Sequence, residues 1–270
     1  MAEGKYPPNL EAEHKARYAF AAPFCRNKRI LDVACGTGYG GQILSEADPS
    51  EVVQCDKSLE AVAETKRRQE AQGMMCCLVD AMCLPFKPEQ FQVCVTFETL
   101  EHLGRPEAFV SELYRVCVNK GLLILSTPNR RVVSPGTSPG GKPRNPFHVR
   151  EFLLRELSSL LESKGFSVLA VYGQHQESLI RAYGWDIVSR YPVLKASVQR
   201  LVRLIRGAQT AKRDGFLAPT APQSPVVEPL RLLRQPEYFV VCALKRKPAE
   251  KNPKGLEERA PLAQSGAVRL

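Results

Sequence analysis

The residues able to do chemistry are concentrated in three carboxylates and one glycine-rich turn. Asp32 stands just before the first glycine of Ile30-Leu-Asp-Val-Ala-Cys-Gly-Thr-Gly-Tyr-Gly-Gly41, a short apolar stretch running into a turn. Gly36, Gly38 and Gly41 have the spacing G-x-G-x-x-G, in which backbone N–H groups and a helix N-terminus hold a pyrophosphate. A carboxylate at the mouth of that turn opposes a pyrophosphate and attracts a ligand carrying an ammonium or sulfonium charge. Asp56 closes Glu51-Val-Val-Gln-Cys55 and suits a ribose whose two hydroxyls donate to it. Asp80 follows the apolar stretch from Met74 to Val79 and opens Asp80-Ala-Met-Cys-Leu-Pro-Phe86. A carboxylate and adjacent backbone there can read an adenine amino edge.

Taken singly, each Asp is an ordinary turn or cap residue, and each Gly is needed only for backbone freedom. Three acids at three successive strand ends beside one glycine turn are a narrower coincidence, and ligands of open α/β sheets bind at those ends. S-adenosylmethionine (SAM) carries a sulfonium, a ribose and an adenine. Asp32, Gly36, Gly38, Asp56 and Asp80-Ala81, in this order and spacing, resemble the class I SAM-dependent methyltransferases over residues 10–180 and a last strand near 236–245. Phe-Gln-Val-Cys-Val-Thr-Phe-Glu-Thr-Leu-Glu-His-Leu (91–103), Gly-Leu-Leu-Ile-Leu-Ser-Thr-Pro-Asn (121–129) and Asn-Pro-Phe-His-Val-Arg-Glu-Phe (145–152) are similar to the type-11 and ubiquinone-biosynthesis O-methyltransferase group, which includes bacterial members that modify cell-envelope sugars. The resemblance implies SAM as cofactor, with Asp32, Gly36 and Gly38 at its methionine end, Asp56 on the ribose, and Asp80 and Ala81 at the adenine. Cys35 and Thr37 within the turn, and Glu98 after the fourth strand, are counted with the same site.

Methyl transfer from SAM is a displacement at carbon, so the protein mainly aligns an acceptor and, for a hydroxyl, removes its proton. His102 and His148 are the expected bases, one after the fourth strand and the other beyond the fifth. His14 and His175 are the weaker choices. Glu98, Glu101, His102 and His148 also resemble the metal-binding set of small-RNA 2′-O-methyltransferases and of part of the ubiquinone-pathway enzymes. Two carboxylates and two imidazoles can hold Mg²⁺ or Mn²⁺. The alternative is that Glu101 and His102 open a helix while Glu98 contacts SAM, and no metal is assigned.

The elements that must position these groups alternate: a cap helix over 11–22, then strand 29–33, helix 39–47, strand 51–55, helix 59–72, strands 74–79 and 91–97, helix 106–117, strand 121–127, helix 149–164 and strand 166–173. Alternation of this kind implies an α/β, mostly parallel sheet covered on both faces. The resemblance implies a Rossmann-like class I methyltransferase sheet of seven strands, the last antiparallel, with a helical and loop insertion before it. Residues 1–180 are read as the SAM-binding core with its cap helix, 181–235 as a basic amphipathic helix and Pro-rich insertion, 236–247 as the final strand and 248–270 as a disordered tail. Within the insertion, 194–206 is amphipathic. It reads as a helix packed on its own domain or as a peripheral membrane contact.

Residues 1–180 carry 21 Lys/Arg and 21 Asp/Glu, whereas 181–270 carry 17 and 7, so the whole formal charge of +10 lies in the last third. Such asymmetry marks a surface for something anionic or a solvated tail. The basic residues lack interleaved aromatics for base stacking, and no Asn-Pro-Pro-Tyr-like motif follows the fourth strand, so no nucleic-acid partner is expected. A metal-assisted RNA 2′-O-methyltransferase stays as an alternative. So does a nicotinamide-dependent oxidoreductase, although Pro192 interrupts its Tyr191-x-x-x-Lys195 pair. The sequence has no apolar run of membrane-spanning length and no apolar signal core after Met1, and its nine cysteines form no Cys-x-x-Cys pair. Reduced core cysteines and a cytoplasmic location are expected, with a small-molecule or lipid-linked acceptor; oligomeric state is left open.

Overall fold

In the computed structural model, residues 8–69, 74–138, 140–178, 227–229 and 234–246 are described. The sequence expectations for 181–226, the amphipathic stretch 194–206 and the tail 248–270 lie outside them. The chain runs α1 (Pro8–Ala21), β1 (Arg29–Val33), α2 (Tyr39–Ser45), β2 (Glu51–Asp56), α3 (Leu59–Gln69), β3 (Met75–Leu78), β4 (Phe91–Phe97), α4 (Pro106–Val116), β5 (Cys117–Pro128), α5 (Arg130–Val133), α6 (Leu154–Ser163), β6 (Phe166–Ser178), β7 (Glu228–Pro229) and β8 (Arg234–Lys245). The sheet order is β3-β2-β1-β4-β5-β8-β6-β7. The first five strands are parallel, and β8 enters antiparallel between β5 and β6. Seven long strands match expectation. The eighth, β7, is a two-residue edge paired to Tyr172 and Gly173.

Both faces of the sheet are covered, and the central strands are apolar on both sides, as parallel strands buried between helices must be. One face packs Leu31, Val53, Cys94 and Leu123 against α4 and α6. The other packs Ile30, Val52, Val93 and Ile124 against α1 and α2. Helix α1 crosses α2 closely because Gly40 has no side chain: a Cβ there would run into the Tyr18 ring. Gly38, at φ +80°, caps α2 in the left-handed region, and a Cβ on it would strike Thr65. Gly38 of the fingerprint and the neighbouring Gly40 therefore serve helix packing as well as the turn.

Helix α6 starts at Leu154, five residues later than the sequence pattern suggests. The amides of Val149 and Arg150 are taken instead by the Glu101 carbonyl, at 2.8 and 3.1 Å, which ties this stretch to the segment that follows β4. The helix begins only where Glu156 accepts the Leu153 N–H at 2.9 Å. Among the described residues no helix is long and apolar enough to cross a membrane.

Candidate active site

A cavity of about 830 Å³ opens at the carboxyl ends of β1, β2, β4 and β5 under α1. Its wall includes His14 and Tyr18 of α1, Cys35 and Gly36 of the turn, Asp56, Glu98, Glu101, His102, Asn145, Phe147, His148, Glu151 and Tyr238. This size lies within the range of roughly 300–1,000 Å³ usual for small-molecule and cofactor sites.

On the turn side, the Gly36 N–H donates to Asp56 Oδ2 at 2.9 Å, while Asp56 Oδ1 accepts from the Ser58 N–H at 2.9 Å. The two bonds fix the carboxylate at the cavity wall. The Thr65 hydroxyl donates to the Gly36 carbonyl at 3.0 Å, tying the turn to α3. Cys35 and Thr37 are buried within the turn, the former beside Val62 and Cys76. Asp80 is exposed and accepts the Met82 N–H at 2.9 Å. With Ala81 it stays outside the cavity wall, joined to the site through the Val79 N–H bonded to the Asp56 carbonyl.

Asp32 is placed differently from the expectation of a carboxylate at the turn's mouth. It is 0 % exposed, accepting from Tyr18 Oη at 3.1 Å and Gln54 Nε2 at 3.0 Å. The two-residue period of β1 explains this: Asp32 shares a face with Ile30, beneath α1. Burial raises its pKa to about 7 against the two hydrogen bonds that favour the anion.

On the acceptor side, Glu98 has a left-handed backbone (φ 50°) and accepts from the Ser126 hydroxyl at 2.6 Å, with Arg17 Nη1 3.6 Å away. Glu101 is fully buried. Its Oε2 accepts from Thr127 at 3.0 Å, and its Oε1 has no hydrogen-bond partner. Burial first, and then the nearby Glu98 charge, push its pKa well up. His102 Nδ1 meets the Phe147 carbonyl at 2.9 Å, which makes Nδ1 the donor and leaves Nε2 as the acceptor, 3.9 Å from Glu101 Oε1. His148 Nδ1 meets Glu151 Oε1 at 2.7 Å, and its Nε2 meets Asn145 Nδ2 at 2.9 Å. The two imidazoles contact edge to face, centroids 5.1 Å apart.

Of the four residues grouped as metal ligands in the sequence, three converge. Ligand atoms of Glu101, His102 and His148 lie within 4.8 Å of one another, whereas Glu98 turns to Ser126 and Arg17. His14 lines the roof, and His175 pairs with Glu13 of α1 at 3.0 Å. Sequence reasoning missed Tyr18 and Gln54 around Asp32, and Glu151 behind His148. Only Glu151 had a signal, the His-x-x-Glu spacing inside an already singled-out segment.

The sheet order and a ligand cavity at these strand ends define a class I methyltransferase fold. Comparison with known proteins agrees. The methyltransferase domain family matches residues 31–125. A probable S-adenosylmethionine-dependent methyltransferase of Mycobacterium tuberculosis is 33% identical over 204 residues, covering 72% of this chain and 70% of that protein. One from Mycolicibacterium smegmatis is 32% identical over 220 residues, covering 77% and 81%. An S-adenosylmethionine-dependent methyltransferase structure from Mesorhizobium loti superposes with a TM-score of 0.53 at 15% identity, over 87% of this chain and 98% of the other. The chain belongs to the SAM-dependent methyltransferases, and SAM is its cofactor.

Proposed function

We propose that this methyltransferase acts on a hydroxyl of a small or lipid-linked acceptor, a sugar among them, in the cytoplasm. SAM supplies an electrophilic methyl group when bound. The turn amides and Gly36 would receive its methionine end, Asp56 its ribose and Asp80-Ala81 its adenine, with Cys35, Thr37 and Glu98 completing the wall and Asp32 supporting the turn from beneath through Tyr18 and Gln54. One observation carries the choice of a hydroxyl. His102 lines the cavity and holds Nδ1–H on a backbone carbonyl, so in the neutral ring Nε2 is the nitrogen that can take a proton from an acceptor O–H. His148 has both ring nitrogens engaged, by Glu151 and Asn145, and so positions rather than abstracts. Nine free cysteines, none paired, support a reducing compartment.

A second reading is favoured by the orphaned Oε1 of Glu101. Glu101, His102 and His148 fit a divalent cation, which would supply Lewis-acid polarisation of the acceptor oxygen. Here the histidines would be ligands rather than a base and its support. Calorimetry with Mn²⁺, alongside SAM turnover in EDTA, separates the two: binding and EDTA-sensitive turnover support the metal, and full activity in EDTA removes it.

The test of the main reading is calorimetric binding of S-adenosylhomocysteine, followed by a screen of nucleotide and lipid-linked sugars read as release of S-adenosylhomocysteine from SAM. Binding lost in Asp56→Ala and turnover on hydroxyl acceptors are expected. Turnover confined to amine or carbon acceptors would overturn the hydroxyl assignment.

A further inference from the structure

We infer that the loop joining β5 to α6, led by Phe147 and Val149, docks this protein on an anionic membrane surface and so opens the cavity toward the bilayer. The inference deepens the lipid-linked branch of the proposed function and rests on it.

The charge pattern comes first. From residue 130 to 150 the chain has Arg130, Arg131, Lys142, Arg144 and Arg150 and no Asp or Glu. Arg130 is paired with the Glu156 carboxylate at 3.0 Å and Arg150 with that of Glu107 at 3.4 Å, and Arg144 Nη2 donates to the Pro135 carbonyl at 3.0 Å, a bond that leaves its charge unneutralised. Arg131, Lys142 and Arg144 face solvent. Basic side chains of this kind are drawn to the negative potential of anionic lipid headgroups.

The apolar tip comes second. Phe147 is 79 % exposed and Val149 59 %, two of five exposed large hydrophobics among the described residues. Neither is held out by chance. The Phe147 N–H donates to Asn145 Oδ1 at 3.0 Å and its carbonyl accepts from His102, while the Val149 N–H donates to the Glu101 carbonyl at 2.8 Å. The side chains project outward because their backbone is bonded inward, to the wall of the cavity. An aromatic and a β-branched side chain flanked by cations is the composition that inserts at a headgroup boundary.

Position comes third. Asn145, Phe147 and His148 also line the cavity, so whatever this tip touches lies at the cavity mouth. An acceptor whose reactive hydroxyl sits just above the headgroups would reach His102 without leaving its membrane. A nucleic-acid surface fits less well, because a single exposed aromatic gives no stacking series.

The experiment is sedimentation of the full chain with phosphatidylcholine vesicles, with and without phosphatidylglycerol, at low and high salt. Binding that requires phosphatidylglycerol and weakens with salt is expected. Phe147→Ser/Val149→Ser should weaken it at least tenfold, and Lys142→Glu/Arg144→Glu should abolish it, each variant retaining a cooperative thermal transition. Phe147→Trp should add emission that shifts to shorter wavelength with the anionic vesicles only. Failure of the wild type to bind, or binding undiminished in both double variants, would overturn the inference. So would displacement by duplex RNA, or by soluble glycerol phosphate, at concentrations matched to the lipid. No methyl acceptor is used, so a negative result here leaves S-adenosylhomocysteine binding and hydroxyl transfer to stand on their own tests.

Discussion

His102 and His148 touch each other yet have different hydrogen-bond duties, and this gives the sharpest residue-scale prediction. With an acceptor in hand, His102→Asn should lower turnover about 10²–10⁴-fold, as loss of a general base does. His148→Asn should cost less, since it removes support rather than the base. Equal losses accompanied by EDTA sensitivity would transfer both residues to a cation. Asp32 makes a second prediction. Its folded pKa is raised to about 7 from an ordinary 3.8. The stability it contributes as a buried neutral acid is therefore full below about pH 3.8 and is lost as pH rises through about 7. Asp32→Asn should remove that fall, seen as a melting temperature that changes less than the wild type's between pH 5 and pH 8. The acid itself was legible in the sequence; its direction was not. Leu31 and Val33 on one face and Ile30 on the other are all apolar, so nothing in the pattern says which way the intervening Asp points.

Helix α1 is the element that roofs the cavity, and it is held by polar bonds as much as by packing. Arg17, fully buried, donates to Gln174 at 2.8 Å and lies over the Tyr238 ring, and Glu13 pairs with His175. Two histidines at this roof titrate in opposite senses. Burial, then Arg17, lowers His14 to about 2. The stability tied to neutral His14 is full above about pH 6.5 and drains away as pH falls below it. His175 is raised by Glu13, so its pairing is full below about pH 6.5 and is lost as pH climbs through its elevated pKa. Protection factors of α1 amides, corrected for the intrinsic pH dependence of exchange, should fall on acidification in the wild type and much less in His14→Leu. At the same crossing, Gly40→Ala should destabilise by about 1–3 kcal/mol through its clash with Tyr18, measured by denaturant unfolding. The alternation of elements was readable because each strand is short, apolar and punctuated. The start of α6 was not, because Glu101 claims two amides from a distance of almost fifty residues, a pairing that local propensity does not encode.

For the whole molecule, charge and chemistry occupy different parts of the chain. The described cavity is lined mainly by residues of the first 180, whose charge is balanced, whereas the formal surplus lies beyond residue 180. Among the described residues, one basic segment, 130–150, contributes Val133, Asn145, Phe147 and His148 to the cavity wall. Finally, β8 sits between β5 and β6, bonded along both, with Leu122 to Pro128 on one side and Phe166 to Ser178 on the other. A chain emerging from a ribosome thus cannot complete its sheet until residues near 240 have been made, and until then two long apolar strand edges stay open to other chains. Nascent chains stalled before Arg234 should therefore depend on chaperones far more than the finished protein does.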